Sequence, residues 1–158
     1  FVGATSLASV TFAPDSVVES LGGSAFEGCM ALKSMILPKT VKTVGKNAFK
    51  SATNLASVTF DAASVLTSLG IGAFQGCTAL KSVIIPNTVR TIGDEAFGVA
   101  TSLVTVKFEP GSVVESLGNY AFNSCTALKS IDIPKTVLTV GLDAFLGATK
   151  LESVTFAP

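Results

Sequence analysis

Cys29, Cys77 and Cys125 carry the chemistry of a nucleophile or a soft metal ligand, and they recur every 48 residues. A catalytic thiol needs a base, usually histidine, to remove its proton, and a structural zinc needs four Cys or His ligands in closely spaced pairs. The 158-residue chain has no His and no Cys-x-x-Cys pair, so both chemistries lack their parts. An odd cysteine count also argues against a disulfide framework. The 11 Asp and Glu are balanced by 11 Lys and Arg, and the single arginine, Arg90, leaves no basic patch for nucleic acid. Glu19 and Glu115 fall beside Lys42 and Arg90, as exposed ion pairs rather than an acid/base couple. Asp94, Glu95 and Asp143 read as charges at the start of a short helical turn. No glycine loop has phosphate-binding spacing, so no enzyme and no cofactor is expected.

The spacing of the cysteines belongs to a repeat that covers every residue. Phe26-Glu-Gly-Cys-Met-Ala-Leu32, Phe74-Gln-Gly-Cys-Thr-Ala-Leu80 and Phe122-Asn-Ser-Cys-Thr-Ala-Leu128 are three copies, and Phe49, Phe97 and Phe145 open a second type of copy between and after them. With Phe1, these phenylalanines are separated by 25, 23, 25, 23, 25 and 23 residues. The chain is thus expected to be a single unit over residues 1–158, about six and a half repeats, with no linker or second domain. Starting on a core Phe without a polar cap, it is expected to be a stretch of a longer chain.

Each repeat has the same internal order. Leu-x-Ser-apolar-x-apolar, as in Leu32-Lys-Ser-Met-Ile-Leu37 and Leu7-Ala-Ser-Val-Thr-Phe12, alternates as a strand with one buried side. A proline stops it at 14, 38, 86, 110, 134 and 158. A shorter apolar segment such as Val41-Lys-Thr-Val44 follows and ends at a glycine (22, 45, 70, 93, 118 or 141), where positive φ or close backbone approach is expected. The next residues, such as Asp94-Glu-Ala-Phe97, have room for at most one helical turn. The longer repeats carry two extra residues before the second segment, at Asp15-Ser16, Ala63-Ser64 and Gly111-Ser112.

No single repeat can bury its apolar side, but stacked copies share a core. Equivalent strands would pair in parallel at ~4.8 Å, giving a right-handed coil with an axis of roughly 30 Å. All eleven Phe fall into two columns, the seven above and Phe12, Phe60, Phe108 and Phe156, the latter alternating with Leu37, Ile85 and Ile133, so that large and smaller residues are expected to interdigitate along the core. Cysteine alternates with Ala in a column of small buried residues, and successive cysteines lie two coils apart, roughly 10 Å, beyond the roughly 7 Å reach of a disulfide. The outward strand positions form a strip: Ser34, Ser57, Ser82 and Thr105 in one row, Ile36, Thr59, Ile84 and Lys107 in the next. Either this strip meets a partner, or its hydroxyls are tolerated strand residues bonding to one another.

The run from Gly76-Cys-Thr-Ala-Leu-Lys-Ser-Val-Ile-Ile-Pro86 to Asn-Thr-Val-Arg-Thr-Ile-Gly-Asp-Glu-Ala-Phe97 resembles the BspA-like class of leucine-rich repeats. The resemblance implies a leucine-rich-repeat solenoid with its parallel β-sheet on the concave face, and proteins that are secreted or surface-anchored, several of them adhesins for matrix proteins or other cells. It implies an extracellular or cell-surface location, and it supplies no catalytic or ligand residue, because the motif residues are core. A non-enzymatic adhesion module with a protein, cell-surface or matrix partner is the leading expectation. The alternatives are a structural solenoid assembling end to end with copies of itself and, less favoured, binding to ice or crystal surfaces. No run of about 18 apolar residues offers a membrane span.

Overall fold

The computed structural model describes residues 1–156; Ala157 and Pro158, the last strand-stopping proline among the expectations, lie outside the described residues. The chain forms, in order, β1 (Ser20–Leu21), β2 (Ser34–Leu37), β3 (Thr43–Val44), β4 (Ser57–Phe60), β5 (Ser68–Leu69) and β6 (Ser82–Ile85). It continues with β7 (Thr91–Ile92), β8 (Thr105–Phe108), β9 (Ser116–Leu117), β10 (Ser130–Ile133), β11 (Thr139–Val140) and β12 (Ser153–Phe156). Odd-numbered strands make one six-stranded sheet, and even-numbered ones a second wall, and every pairing is parallel. This is the parallel-strand solenoid that the alternation dictates. β2, β6 and β10 bury their second and fourth residues and expose the first and third, so Met35, Leu37, Val83 and Ile85 face the core.

The interior is one continuous cluster. Phe1, Phe26, Phe49, Phe74, Phe97, Phe122 and Phe145 stack face to face with centroid separations of 5.1 to 5.5 Å. Cys29, Cys77 and Cys125 are fully buried and unbridged, as the small-residue column requires.

Three local features differ from expectation. The residues after each corner glycine form turns with no helix, because left-handed φ occurs twice per coil: +57° at Asn47 and +58° at Ser51, +60° at Gly72 and +70° at Gly76, +54° at Glu95 and +59° at Val99. A helix cannot contain such residues. The alternation instead aims every second N–H along the axis, as where Asn47, Phe49 and Ser51 donate to the carbonyls of Ile71, Ala73 and Gln75 at 2.8 Å. The corner glycines from Gly45 onward are explained by close approach: a Cβ on Gly93 would stand 2.7 Å from the Gly70 carbonyl carbon and 2.8 Å from the Ile71 nitrogen, whereas Gly22, on the first such corner, has nothing within 4 Å.

The second difference is at Leu7–Phe12, where the expected strand is absent. The third explains it. Pairing alternates with the repeat type: β2–β4, β6–β8 and β10–β12 each match four residues, ending at Leu37↔Phe60, Ile85↔Phe108 and Ile133↔Phe156. From a Phe-ended strand to the next Leu- or Ile-ended strand the register fails: β8–β10 keeps only Ser130↔Thr105 and Ile131↔Val106, β4 and β6 belong to separate sheets, and Ser9–Phe12 is not paired with β2 as a strand. The column of Phe12, Phe60, Phe108 and Phe156 therefore does not interdigitate in the core as expected. Leu37, Ile85 and Ile133 are buried, whereas Phe12, Phe60 and Phe108 are half-buried and Phe156 is exposed. A Phe ring needs more room than the strand end leaves, and the two extra residues that follow it let the chain swing outward.

Candidate functional site

The exposed face of the even-numbered strands carries all eight residues of the expected strip. Ser34, Ile36, Ser57, Thr59, Ser82, Ile84 and Lys107 are exposed and Thr105 is half-buried. Ile36 and Ile84 leave 67% and 55% of their surface in water, although each sits between buried neighbours on its own strand. Strand register fixes their alignment, with Ile36 opposite Thr59 and Ile84 opposite Lys107. Among the described residues the hydroxyls of Ser34, Ser57, Ser82 and Thr105 make no bond to a neighbouring side chain, whereas Thr155 donates to Asp132 further along. They are free to act as donors and acceptors.

The failures of register open three clefts along the same face, one per 48 residues. The first, about 430 Å³, lies between Ser9–Phe12 and β2, against Ser34 and Ile36. The second, about 220 Å³, lies between β4 and β6, lined by Phe60, Thr59, Ser82 and Ile84. The third, about 470 Å³, lies between β8 and β10, with Phe108, Asp132 and Pro134. Sequence reasoning did not find them. Their signal is the coincidence of each cleft Phe with the two-residue insertion, and that coincidence acquires meaning only once neighbouring strand ends are compared.

The insertion loops bordering the clefts are held firmly. Ser16, Ser64 and Ser112 accept from the N–H two residues on, and Thr40, Thr88 and Thr136 of the following coil donate to the carbonyls of Val18, Leu66 and Val114 at 2.8, 2.7 and 2.7 Å. On the other edge of the face, the position before each strand reads Ala8, Lys33, Ala56, Lys81, Val104, Lys129, Glu152. Its backbone is tied from coil to coil, with Ala56, Val104 and Glu152 donating to the carbonyls of Lys33, Lys81 and Lys129 at 2.9, 2.9 and 2.8 Å. All three lysines are exposed, and neither ion pair among the described residues uses one.

Those pairs, Lys42–Glu19 at 2.9 Å and Arg90–Glu115 at 2.6 Å, form on the other wall at the positions that the stacking predicts. Both are largely exposed and contribute ~0–1 kcal/mol each. Burial pushes the Cys77 and Cys125 thiols up to about 12, only partly offset by a backbone hydrogen bond, which disfavours the thiolate that a nucleophile needs. Among the described residues no cluster of three His, Cys, Asp or Glu is placed to hold a metal, and no helix is long and apolar enough to cross a membrane.

Comparison with known proteins bears on this geometry. A family described as "BspA type Leucine rich repeat region (6 copies)" matches residues 1–77 and 61–158. Among solved structures, the pneumococcal vaccine antigen PcpA superposes with a TM-score of 0.68 at 24% identity over 79% of this chain and 29% of that one, a likeness of fold. A leucine-rich cell-surface protein of Faecalibacterium prausnitzii gives 0.62 at 28% identity, over 88% of this chain and 43% of that one. A leucine-rich repeat protein of Bacteroides capillosus gives 0.50 at 29% identity, over 59% and 64%. The chain thus spans from under a third to under two thirds of the length of these structures. A search of curated proteins gives no match.

Proposed function

The chain belongs to the BspA-type leucine-rich repeat family, and from that premise we propose that it is a non-enzymatic, extracellular adhesion module that binds its partner across the even-strand face. A surface location is supported by the similarity to a protein described as a cell-surface protein. The observation that carries the reading is a pair of exposed isoleucines, Ile36 and Ile84, set beside a row of unbonded hydroxyls on strands that no other described residue covers. Apolar side chains left mostly in water at matching positions two coils apart bury little surface in the fold, and they supply contact area to a partner. Ser34, Ser57, Ser82, Thr105, Thr59 and Lys107 then provide the polar contacts around them.

The test replaces Ile36, Thr59 and Ile84 together with Asp and measures adsorption to an immobilised extracellular-matrix preparation containing both proteins and polysaccharides. All three side chains are exposed, so the circular dichroism spectrum and melting temperature are expected to hold while binding falls by about tenfold or more. Undiminished binding in a folded variant would remove the reading.

A further inference from the structure

Resting on that binding face, we infer that its ligand is a linear acidic polysaccharide with one carboxylate per disaccharide, lying along the solenoid axis with its anionic edge on Lys33, Lys81 and Lys129. Two features of the face carry the two-coil period of the chain. Each lysine precedes the strand that forms the far wall of a cleft: Lys33 with the Phe12 cleft, Lys81 with the Phe60 cleft, Lys129 with the Phe108 cleft. One cation and one aromatic-lined hollow, at opposite ends of the same strand, therefore recur three times, at a pitch of ~10 Å set by two strand spacings. An extended β-linked disaccharide covers about the same distance, so a polymer of such units presents the same group to every copy.

Charge favours an anion on this edge. Between Lys33 and Lys129 the row has only Ala56, Lys81 and Val104, and the flanking row has Ser34, Ser57, Ser82, Thr105 and Ser130, none of them acidic. The first carboxylate in the lysine row is Glu152, one coil beyond Lys129. The rest of the face is mixed, with Asp61, Glu109 and Asp132 among the cleft-lining residues alongside Lys39, Lys107 and Lys135, and so has no net attraction for an anion. Tying of the lysine backbones to the next coil holds the cations at fixed intervals, and the unbonded hydroxyl row beside them suits a hydroxyl-rich ligand. The cations are too sparse for a nucleic acid, whose phosphates follow far more closely. An extended polypeptide would need an acidic residue in regular register to match them.

The experiment measures binding of the full chain to immobilised hyaluronan, with acetylated chitin oligosaccharide and poly-glutamate as comparators. Hyaluronan is expected to bind, to weaken as ionic strength rises from about 0.05 to about 0.5 M, and to exceed both comparators. Lys33→Glu, Lys81→Glu and Lys129→Glu together should weaken it by about tenfold or more, whereas Lys42→Glu, Lys46→Glu and Lys50→Glu, an equal change of charge off this face, should leave it within about twofold. Absence of hyaluronan binding, equal binding of poly-glutamate, or equal losses in the two triple variants would each overturn the inference. If the chain fails on hyaluronan yet still adheres to the matrix preparation in an Ile36- and Ile84-dependent way, the ligand class is wrong and the binding face stands.

Discussion

Replacing Phe74 with Ala tests the stacked column on which the whole architecture depends. Phe74 is fully buried, with Phe49 at 5.1 Å and 3° on one side and Phe97 at 5.4 Å and 11° on the other. Removing a buried ring costs about 3–5 kcal/mol through lost transfer energy and the cavity left behind. The upper part of that range applies here, because the flanking rings are fixed by their own coils and cannot close the gap; each lost aromatic pair is worth ~0.5–1.5 kcal/mol within that sum. Against a typical total of about 5–15 kcal/mol, this is a large share, and at ~2–4 °C per kcal/mol it lowers the melting temperature by roughly 10 °C or more. Phe60→Ala is the internal control. Its ring is half-buried and already borders a cleft of about 220 Å³, so its removal should cost only ~1–2 kcal/mol. The assay is urea unfolding followed by far-ultraviolet circular dichroism, with m compared between variants. A Phe74→Ala loss below that of Phe60→Ala would refute the column as the source of stability.

Gly93→Ala should destabilise by ~1–3 kcal/mol in the same assay, since its Cβ meets backbone of the preceding coil at 2.7 Å, whereas Gly22→Ala, with nothing within 4 Å, should stay within ~0.5 kcal/mol. Val99→Gly should stabilise by ~0.5–1 kcal/mol: Val99 holds φ at +59°, where Gly28, Gly76 and Gly147 stand at the same repeat position. A β-branched residue there is strained, and no gain in midpoint would contradict that reading. The raised thiols of Cys77 and Cys125 contribute stability that is fully present below the unfolded thiol value of about 8.5 and is lost as pH climbs toward about 12, because the unfolded chain ionises first. A Cys77→Ala, Cys125→Ala variant should show a flatter decline over that window, and native thiols should react with a disulfide reagent only at the rate of unfolding.

The period, the two Phe columns, the buried cysteines and the outward row of Ser34, Ile36, Ser57, Thr59, Ser82, Ile84, Thr105 and Lys107 were all legible in the sequence. Each follows from counting: residues at the same place in successive repeats must stack, and strand alternation assigns each to one side or the other. The ion pairs Lys42–Glu19 and Arg90–Glu115 were legible for the same reason. What counting cannot supply is the fit between unlike neighbours. Phe60 and Ile85 occupy one column and look interchangeable along the chain, but the two-residue insertion follows only the Phe-ended strands, and the ends of β4 and β6 are left unpaired while Ile85 meets Phe108 in full register. The clefts at Phe12, Phe60 and Phe108 are products of that asymmetric contact. Likewise Glu95 and Val99 gave no sign of left-handed φ, because their conformation is imposed by axial hydrogen bonds to the next coil rather than by their own preference. Periodicity decided which side chains meet; volumes and the reach of coil-to-coil hydrogen bonds decided how closely, and so where the surface opens.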